Sequence, residues 1–134
     1  MALDILVVDD ILASRRDLCA LVSELGHRVL GVDSGAAALE AVRRSLPDLV
    51  LVDLLMPEVD GFEVTRRVRE HAGGRWLPVI ATSSLQGDEH VIQALLSGAD
   101  DYLARPVNVG LLQAKLRHYG GVLELQTRLS GLVQ

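Results

Sequence analysis

Three aspartates stand at the ends of two apolar stretches of the chain. Asp9 and Asp10 follow the apolar run 5–8, and Asp53 lies near the end of the apolar run 49–55. Such runs are typical of buried strands, and a charged group at the end of one is costly unless it has a partner or a function. Carboxylates that lie close together repel each other, and their oxygens favour Mg²⁺, Ca²⁺ or Mn²⁺. The pattern therefore predicts a divalent cation site, provided that the two strands are neighbours.

A hydroxyl group and a guanidinium group lie at the ends of two later strand patterns. Ser83 ends the stretch 76–83, and Arg105 follows the stretch 101–104. A hydroxyl donor and a fixed positive charge, added to carboxylates and a metal ion, are the groups that hold a phosphoryl group and neutralise its oxygens during transfer. An aspartate can itself be the nucleophile and form an acyl phosphate. These residue types together favour phosphoryl transfer.

Strand and helix patterns alternate five times along the chain. The predicted strands are 5–8, 27–32, 49–55, 76–83 and 101–104, and the predicted helices are 11–25, 35–44, 62–71, 89–97 and 109–119, with Ser34, Asp88 and Asn108 as caps. This alternation predicts an α/β fold of the flavodoxin-like, doubly wound (βα)5 kind, a three-layer sandwich around a parallel five-stranded sheet. In the strand order 2-1-3-4-5 the first and third strands are neighbours, so the three aspartates meet at the C-terminal edge of the sheet.

Composition narrows the class of protein. The chain has 134 residues, a formal net charge of −5 and one cysteine. The charge and the lack of a Lys/Arg cluster argue against direct nucleic-acid binding. No apolar run approaches the ~20 residues of a membrane span, and the N-terminus lacks a signal segment. The single cysteine excludes an internal disulfide and fits a reducing compartment, so we expect a cytoplasmic location.

Several motifs, taken together, resemble the receiver domains of two-component response regulators. The matching segments are Val7-Val8-Asp9-Asp10, the run from Asp53 to Gly61, Pro78-Val79-Ile80 leading to Ser83, the run from Gly98 to Leu103, and Arg105-Pro106. They occur in the family's order and spacing and cover residues 3 to about 119. The resemblance implies a phosphorelay signalling domain that assists its own phosphoryl transfer and dephosphorylation, and it does not imply an enzyme in the ordinary sense.

The resemblance also implies roles for individual residues. Asp53 is the expected phosphoacceptor. The expected Mg²⁺ site, which would also accept Mn²⁺, consists of Asp9, Asp10, Asp53 and the backbone carbonyl of Leu55, with Asp9 acting through water.

Further roles concern the later strands. Ser83 is the expected switch hydroxyl, and Tyr102 is the aromatic side chain that reports its movement. The peptide bond before Pro106 is expected to be cis. Arg105 stands where the family normally has lysine, and arginine is planar and bulkier, so it is not a neutral replacement. Leu55 and Leu85 occupy positions that tune dephosphorylation in the family.

The expected partners follow from the same resemblance. A sensor histidine kinase or phosphotransfer protein would donate the phosphoryl group, and an output domain or partner protein would bind the face formed by the fourth helix, the fifth strand and the fifth helix. A homodimer is a further expectation. The replacement at Arg105 motivates an alternative, a receiver-like interaction module that works without phosphorylation. A metal-dependent phosphohydrolase is disfavoured because Leu55 stands where a second acid is needed, and a flavodoxin-like nucleotide site is disfavoured because no glycine-rich loop follows the first strand.

The last residues of the chain lie beyond the segments that resemble the receiver domain. Residues 1–119 are interpreted as the receiver domain and residues 120–134 as an amphipathic tail or linker helix. Gly120 and Gly121 are expected to weaken or break the last helix, at about 1 kcal/mol for each glycine relative to alanine. A stripe then follows at Val122, Leu125, Leu129 and Leu132. This segment either packs back on the domain and frays, or leads to a dimer partner or an output domain.

Overall fold

Strands and helices alternate regularly in the computed structural model, which describes residues 2–56, 61–73, 75–84 and 87–133. The strands are β1 (Asp4–Val8), β2 (Arg28–Val32), β3 (Leu49–Asp53), β4 (Val79–Ser83) and β5 (Asp101–Ala104). The helices are α1 (Leu12–Glu24), α2 (Gly35–Arg44), α3 (Gly61–Ala72), α4 (Asp88–Leu96) and α5 (Val109–Val133). All strand pairs are parallel, in the order β2-β1-β3-β4-β5. The predicted fold class and strand order are therefore confirmed.

The sheet is covered by helices on both faces. Every residue of β3 and β4 is buried, as expected for central strands between two helical layers. Along β1, Ile5 and Val7 pack in the cluster that contains side chains of α1 and α5, whereas Leu6 and Val8 pack in the cluster that contains side chains of α2 and α3. This alternation follows from the two-residue period of a strand. Two apolar layers thus fix the strands that carry the aspartates.

Two of the three predicted caps are present. The Ser34 hydroxyl accepts a hydrogen bond from Ala37 N at 3.1 Å, and Asn108 Oδ1 accepts one from Leu111 N at 2.9 Å. The prediction for Asp88 is wrong, because α4 has Gly87 at its N-cap and Asp88 lies inside the first turn. There the carboxylate still interacts favourably with the positive end of the helix dipole.

The N-terminal edge of the sheet is held together by an ion pair between α3 and the start of β5. Arg69 Nη2 donates to Asp100 Oδ2 at 2.7 Å. The same carboxylate accepts hydrogen bonds from the Trp76 indole at 3.2 Å and from Val79 N at 2.8 Å. One acidic side chain therefore connects α3, β4 and β5 at the edge opposite to the aspartate cluster.

The last helix does not end at Tyr119, so that prediction is wrong. α5 continues through Gly120 and Gly121 to Val133. Leu123, beyond the glycines, is only 9% exposed and belongs to the core, and a Cβ on Gly120 would lie 3.7 Å from a methyl group of Leu3. Burial of apolar side chains outweighs a glycine cost of about 1 kcal/mol each. The division of the chain at residue 119 stays a prediction.

Among the residues that the structure describes, none of the helices combines the length and the apolar character of a membrane span.

Candidate functional site

Three aspartates converge at the C-terminal edge of the sheet. Asp9 directly follows β1, and Asp53 is the last residue of β3. The two strands are parallel neighbours, with Val8 in register with Val52. One carboxylate oxygen from each of Asp9, Asp10 and Asp53 lies within 4.8 Å of the others. The structure therefore brings together the three acids that the sequence predicts as a cluster.

Asp9 is fully buried, and the surrounding chain donates hydrogen bonds to both of its oxygens. Oδ1 accepts from Ile11 N at 3.0 Å. Oδ2 accepts from the Ser14 hydroxyl of α1 and from Nη2 of Arg105, which lies at 2.8 Å. Since a buried carboxylate without donors is costly, these contacts explain how Asp9 is accommodated at the end of β1.

Arg105 extends from the end of β5 to the end of β1. Its side chain is only 19% exposed, and it forms the ion pair with Asp9. Nη2 also donates to Thr82 Oγ1 at 3.0 Å, and Nη1 donates to the Ser14 hydroxyl. The planar fork of donors in a guanidinium allows one side chain to contact three acceptors in this way. Arg105 thus lies within the acidic site, and in this structure it binds a carboxylate there.

Asp53 lies near its two acidic neighbours, in an environment that disfavours its charge. It is 6% exposed, and its Oδ1 accepts a hydrogen bond from Leu55 N at 3.0 Å. Burial raises the pKa of Asp53 above its ordinary value, although the Leu55 N–H and the Arg105 charge act in the opposite direction. The charges of Asp9 and Asp10 raise that pKa further. An added cation would therefore stabilise the ionised, nucleophilic form of Asp53.

The donor set fits a hard divalent cation. Asp10 Oδ1 is buried without a hydrogen-bond partner among the described residues, so it is free to accept a cation. The cluster presents carboxylate oxygens, the ligands that Mg²⁺ and Mn²⁺ prefer. The role of the Leu55 carbonyl stays a prediction, and Leu85 lies outside the described residues.

The predicted switch residues lie on β4, which adjoins β3, and on β5, which adjoins β4. Ser83 is the last residue of β4, is 1% exposed, and is in register with Ala104 of β5. Its backbone carbonyl accepts a hydrogen bond from Arg105 N at 2.9 Å. Tyr102 is half-buried and packs against the cluster that includes side chains around α4. The Arg105–Pro106 bond is cis. The switching roles of Ser83 and Tyr102 stay predictions.

Ser14 and Thr82 belong to the site but were not predicted from the sequence. Ser14 lies in the first turn of α1, five residues after Asp9, and Thr82 precedes Ser83 in β4. One sequence signal could have indicated Ser14. It is a polar residue in the first turn of the helix that follows a strand pattern ending in aspartates. Thr82 lies beside Ser83 in a strand, so the two side chains point to opposite faces, and the sequence pattern indicated a role only for Ser83.

This chain is similar in sequence to curated proteins and similar in structure to solved proteins. The response regulator PleD from Caulobacter vibrioides is 39% identical over 117 residues, which are 87% of this chain and 26% of PleD. A crystal structure of NtrX from Brucella abortus matches with a TM-score of 0.88 and 27% identity, over 98% of this chain and 30% of that one. This chain therefore spans only about a quarter of PleD and about a third of NtrX.

A third match carries information about metal binding in that protein. The receiver domain of the sensor histidine kinase PA1611 from Pseudomonas aeruginosa has a TM-score of 0.80 and 34% identity, over 90% of this chain and 99% of that domain, and it holds a magnesium ion in its active-site cleft. The family model for the response regulator receiver domain matches residues 5–117. With its five-stranded parallel sheet and its cluster of three aspartates, the chain belongs to the response regulator receiver domain family.

Proposed function

We propose that this domain accepts a phosphoryl group on Asp53, from a sensor histidine kinase or a phosphotransfer protein, in the presence of Mg²⁺. The observation that supports this most directly is the convergence of Asp9, Asp10 and Asp53 within 4.8 Å at the C-terminal edge of the sheet. This edge is where ligands bind in doubly wound α/β folds. Family membership supports this class of reaction, and the cluster supports Asp53 as its site.

The chemistry follows from the groups present. A carboxylate oxygen of Asp53 forms a bond to phosphorus while the bond from phosphorus to the donor histidine nitrogen breaks, and that nitrogen is left with its electron pair. Bound Mg²⁺ would neutralise charge on the phosphoryl oxygens, and Asp9, Asp10, Asp53 and the Leu55 carbonyl are the groups that would hold it. Arg105 adds a fixed positive charge to the same site. The same arrangement would assist hydrolysis of the acyl phosphate.

The response to phosphorylation would be a change in partner binding. Ser83 would move its hydroxyl toward the new phosphoryl oxygens, and Tyr102 would follow. The face beside Tyr102 already exposes large apolar side chains on α4 and at the start of α5. Those most exposed are Ile92, Leu95, Leu96, Val109 and Leu111. Exposed apolar side chains on neighbouring elements are typical of an interaction surface, so this face is the proposed contact for an output domain or partner protein.

The C-terminal part of α5 would connect the domain to that output. Leu125 and Leu129 are each 54% exposed on the helix beyond residue 119. The match to NtrX covers 98% of this chain, including this part of α5, and 30% of that chain. We therefore interpret residues 1–119 as the receiver domain and residues 120–134 as a linker helix, which pairs with a second copy of the chain or leads to another domain.

A second candidate function is supported by one contact. Arg105 binds Asp9 where a phosphate-binding cation is expected, so the acidic site is partly neutralised by the chain itself. A receiver-like module that binds its partner without phosphorylation would use this arrangement as its permanent state. An Asp53→Ala variant that kept full regulation of its partner would favour this second function.

The test is phosphorylation by a small donor. Acetyl phosphate with Mg²⁺ is expected to add one phosphoryl group to the wild-type chain, seen by mass spectrometry, and Asp53→Asn is expected to abolish the addition because the nucleophilic oxygen is lost. Asp33→Asn is the matched control, because Asp33 is exposed and follows β2 at the same edge of the sheet. Unmodified wild-type protein, or equal labelling of the Asp53→Asn variant, would refute the proposal.

A further inference from the structure

The three carboxylates of the site differ in how far the chain itself neutralises them. Asp9 accepts hydrogen bonds on both oxygens, and one of its donors is the Arg105 guanidinium. Asp10 keeps a buried oxygen without a partner among the described residues, and Asp53 accepts a hydrogen bond from the uncharged Leu55 N–H. The chain therefore places its own cation on one of the three acids and leaves the other two for another positive group.

The charges of the site allow two ways of neutralising Asp9. Three ionised carboxylates and one guanidinium leave two formal negative charges, which one divalent cation would balance. A cation that used Asp9 as a ligand would have to share its oxygens with Arg105, since the guanidinium lies 2.8 Å from Oδ2. Cations so close together repel each other. Binding of Mg²⁺ and the Arg105–Asp9 contact should therefore oppose each other.

Ser14 is placed to hold this contact together. Its hydroxyl donates to Asp9 Oδ2 and accepts from Arg105 Nη1, so it is bound to both members of the ion pair. Arg105 Nη2 meanwhile contacts Asp9 and Thr82. The guanidinium is thus held at three points on three different elements, α1, the end of β1 and β4. A lysine ammonium has its donors on one atom and would not span the same three acceptors.

We propose that Ser14 is a positioning residue that keeps Arg105 on Asp9 and thereby lowers the affinity of the acidic site for Mg²⁺. The inference rests on the proposed function, because it concerns the same metal site. It depends on two residues of this chain, the arginine at position 105 and the serine at position 14. Mg²⁺ binding would release Arg105 from Asp9, and the freed guanidinium would then be available for phosphoryl oxygens.

The test uses a substitution that changes no charge. Isothermal titration calorimetry of the full chain with MgCl2 should give about tenfold tighter binding for Ser14→Ala than for wild type, the effect of losing one hydrogen bond to a charged group. Ser23→Ala is the matched control, an exposed serine in the same helix α1, and it should bind Mg²⁺ as the wild type does. Arg105→Lys should also bind more tightly, although it keeps the positive charge.

Two outcomes would overturn the inference. Equal Mg²⁺ affinity of Ser14→Ala and wild type would show that Ser14 does not hold the competing cation. Weaker binding by Ser14→Ala would show that the hydroxyl orients Asp9 for the metal ion, which is the opposite role. Both results would leave the proposed function intact as long as acetyl phosphate still labels Asp53.

A measurement without metal separates the inference from the proposed function. In EDTA, the NMR signals of the Arg105 guanidinium should show hindered rotation in the wild type, because three acceptors hold it. Rotation should be faster in Ser14→Ala, which keeps only the Nη2 contacts to Asp9 and Thr82. Ser23→Ala should behave as the wild type. Free rotation of Arg105 in the wild type would refute the inference even if Mg²⁺ bound and Asp53 were phosphorylated.

Discussion

Two arginine–aspartate pairs occupy opposite edges of the same sheet. At the N-terminal edge Arg69 binds Asp100 at 2.7 Å, and at the C-terminal edge Arg105 binds Asp9 at 2.8 Å. Both pairs join residues distant in sequence, and both are at most partly exposed. From distance and burial alone, both pairs would be expected to stabilise the fold to a similar extent.

The two arginine–aspartate pairs differ in their surroundings. Arg69 also donates to the carbonyls of Leu77 and Gly98, each at 2.7 Å, so both of its Nη groups have acceptors and its charge matches one carboxylate. Arg105 is paired with one carboxylate of a cluster of three, and its Nε is buried without a partner among the described residues. The charges of the first pair are balanced, whereas the second pair leaves net negative charge and the unpaired Nε donor of Arg105 in a buried site.

This difference indicates what each edge contributes. A balanced pair with satisfied donors stabilises the fold, because removing one member leaves a buried charge without compensation. An unbalanced cluster destabilises the fold until a ligand supplies the missing charge, which is typical of a functional site. The two edges should therefore respond in opposite directions when an acid is removed.

The largest effect is expected at the balanced pair. Asp100→Ala should lower the free energy of unfolding by about 3 kcal/mol, because it leaves Arg69 uncompensated and also removes acceptors from Trp76 and Val79. Urea denaturation followed by circular dichroism would measure this. Mg²⁺ affinity of the folded variant should stay at the wild-type value. A loss no larger than that of a typical surface substitution would show that the pair does not hold α3, β4 and β5 together.

An effect of opposite sign is expected at the acidic site. Asp53→Asn should raise the free energy of unfolding in EDTA by about 1 kcal/mol, since it removes a charge that burial and two neighbouring carboxylates disfavour. Urea denaturation in EDTA would show the gain, with Asp33→Asn as the control of equal charge change. A destabilised Asp53→Asn variant would mean that the cluster is already balanced by the chain.

The same substitution predicts a pH dependence. The pKa of Asp53 is higher in the folded protein than its ordinary value of 3.8, mainly because of burial, so the folded state holds this proton more tightly than the unfolded state does. Its contribution to stability is complete below the ordinary value and is lost as the pH rises through the folded-state pKa. In EDTA, the difference in unfolding free energy between Asp53→Asn and wild type should therefore grow as the pH rises above about 4. A difference that stays constant with pH would contradict this.

Much of the fold and the acidic cluster could be predicted because each depends on a local sequence pattern that has a single physical interpretation. Continuous apolar runs such as 49–55 predict buried parallel strands, and the acids at their ends must then share one edge. The contacts of Ser14 and Thr82 could not be predicted in this way. They depend on where the Arg105 side chain lies after the chain has folded, and that is set by acceptors on three elements.

The course of α5 shows the same limit. Gly120 and Gly121 are a local signal against a helix, and the sequence led us to expect a break there. Leu123 buries its side chain beyond the glycines, and Gly120 lies against Leu3, so packing on a distant segment decides the outcome. Local propensity predicts an element only where no such contact opposes it.

The smallest effect is expected at a third arginine–aspartate pair, which isolates the role of burial. Arg28 Nε lies 2.6 Å from Asp4 Oδ1, closer than in either of the other pairs, but both side chains are more than half exposed. The hydrogen bond from Arg28 lowers the pKa of Asp4, so its contribution is present at neutral pH and is lost as the pH falls through that lowered pKa. Water screens exposed charges, so Asp4→Ala should cost far less stability than Asp100→Ala, and added salt should reduce the cost further. Urea denaturation of both variants at low and high salt would measure this, and equal losses would mean that the 2.6 Å separation matters more than burial and satisfied donors.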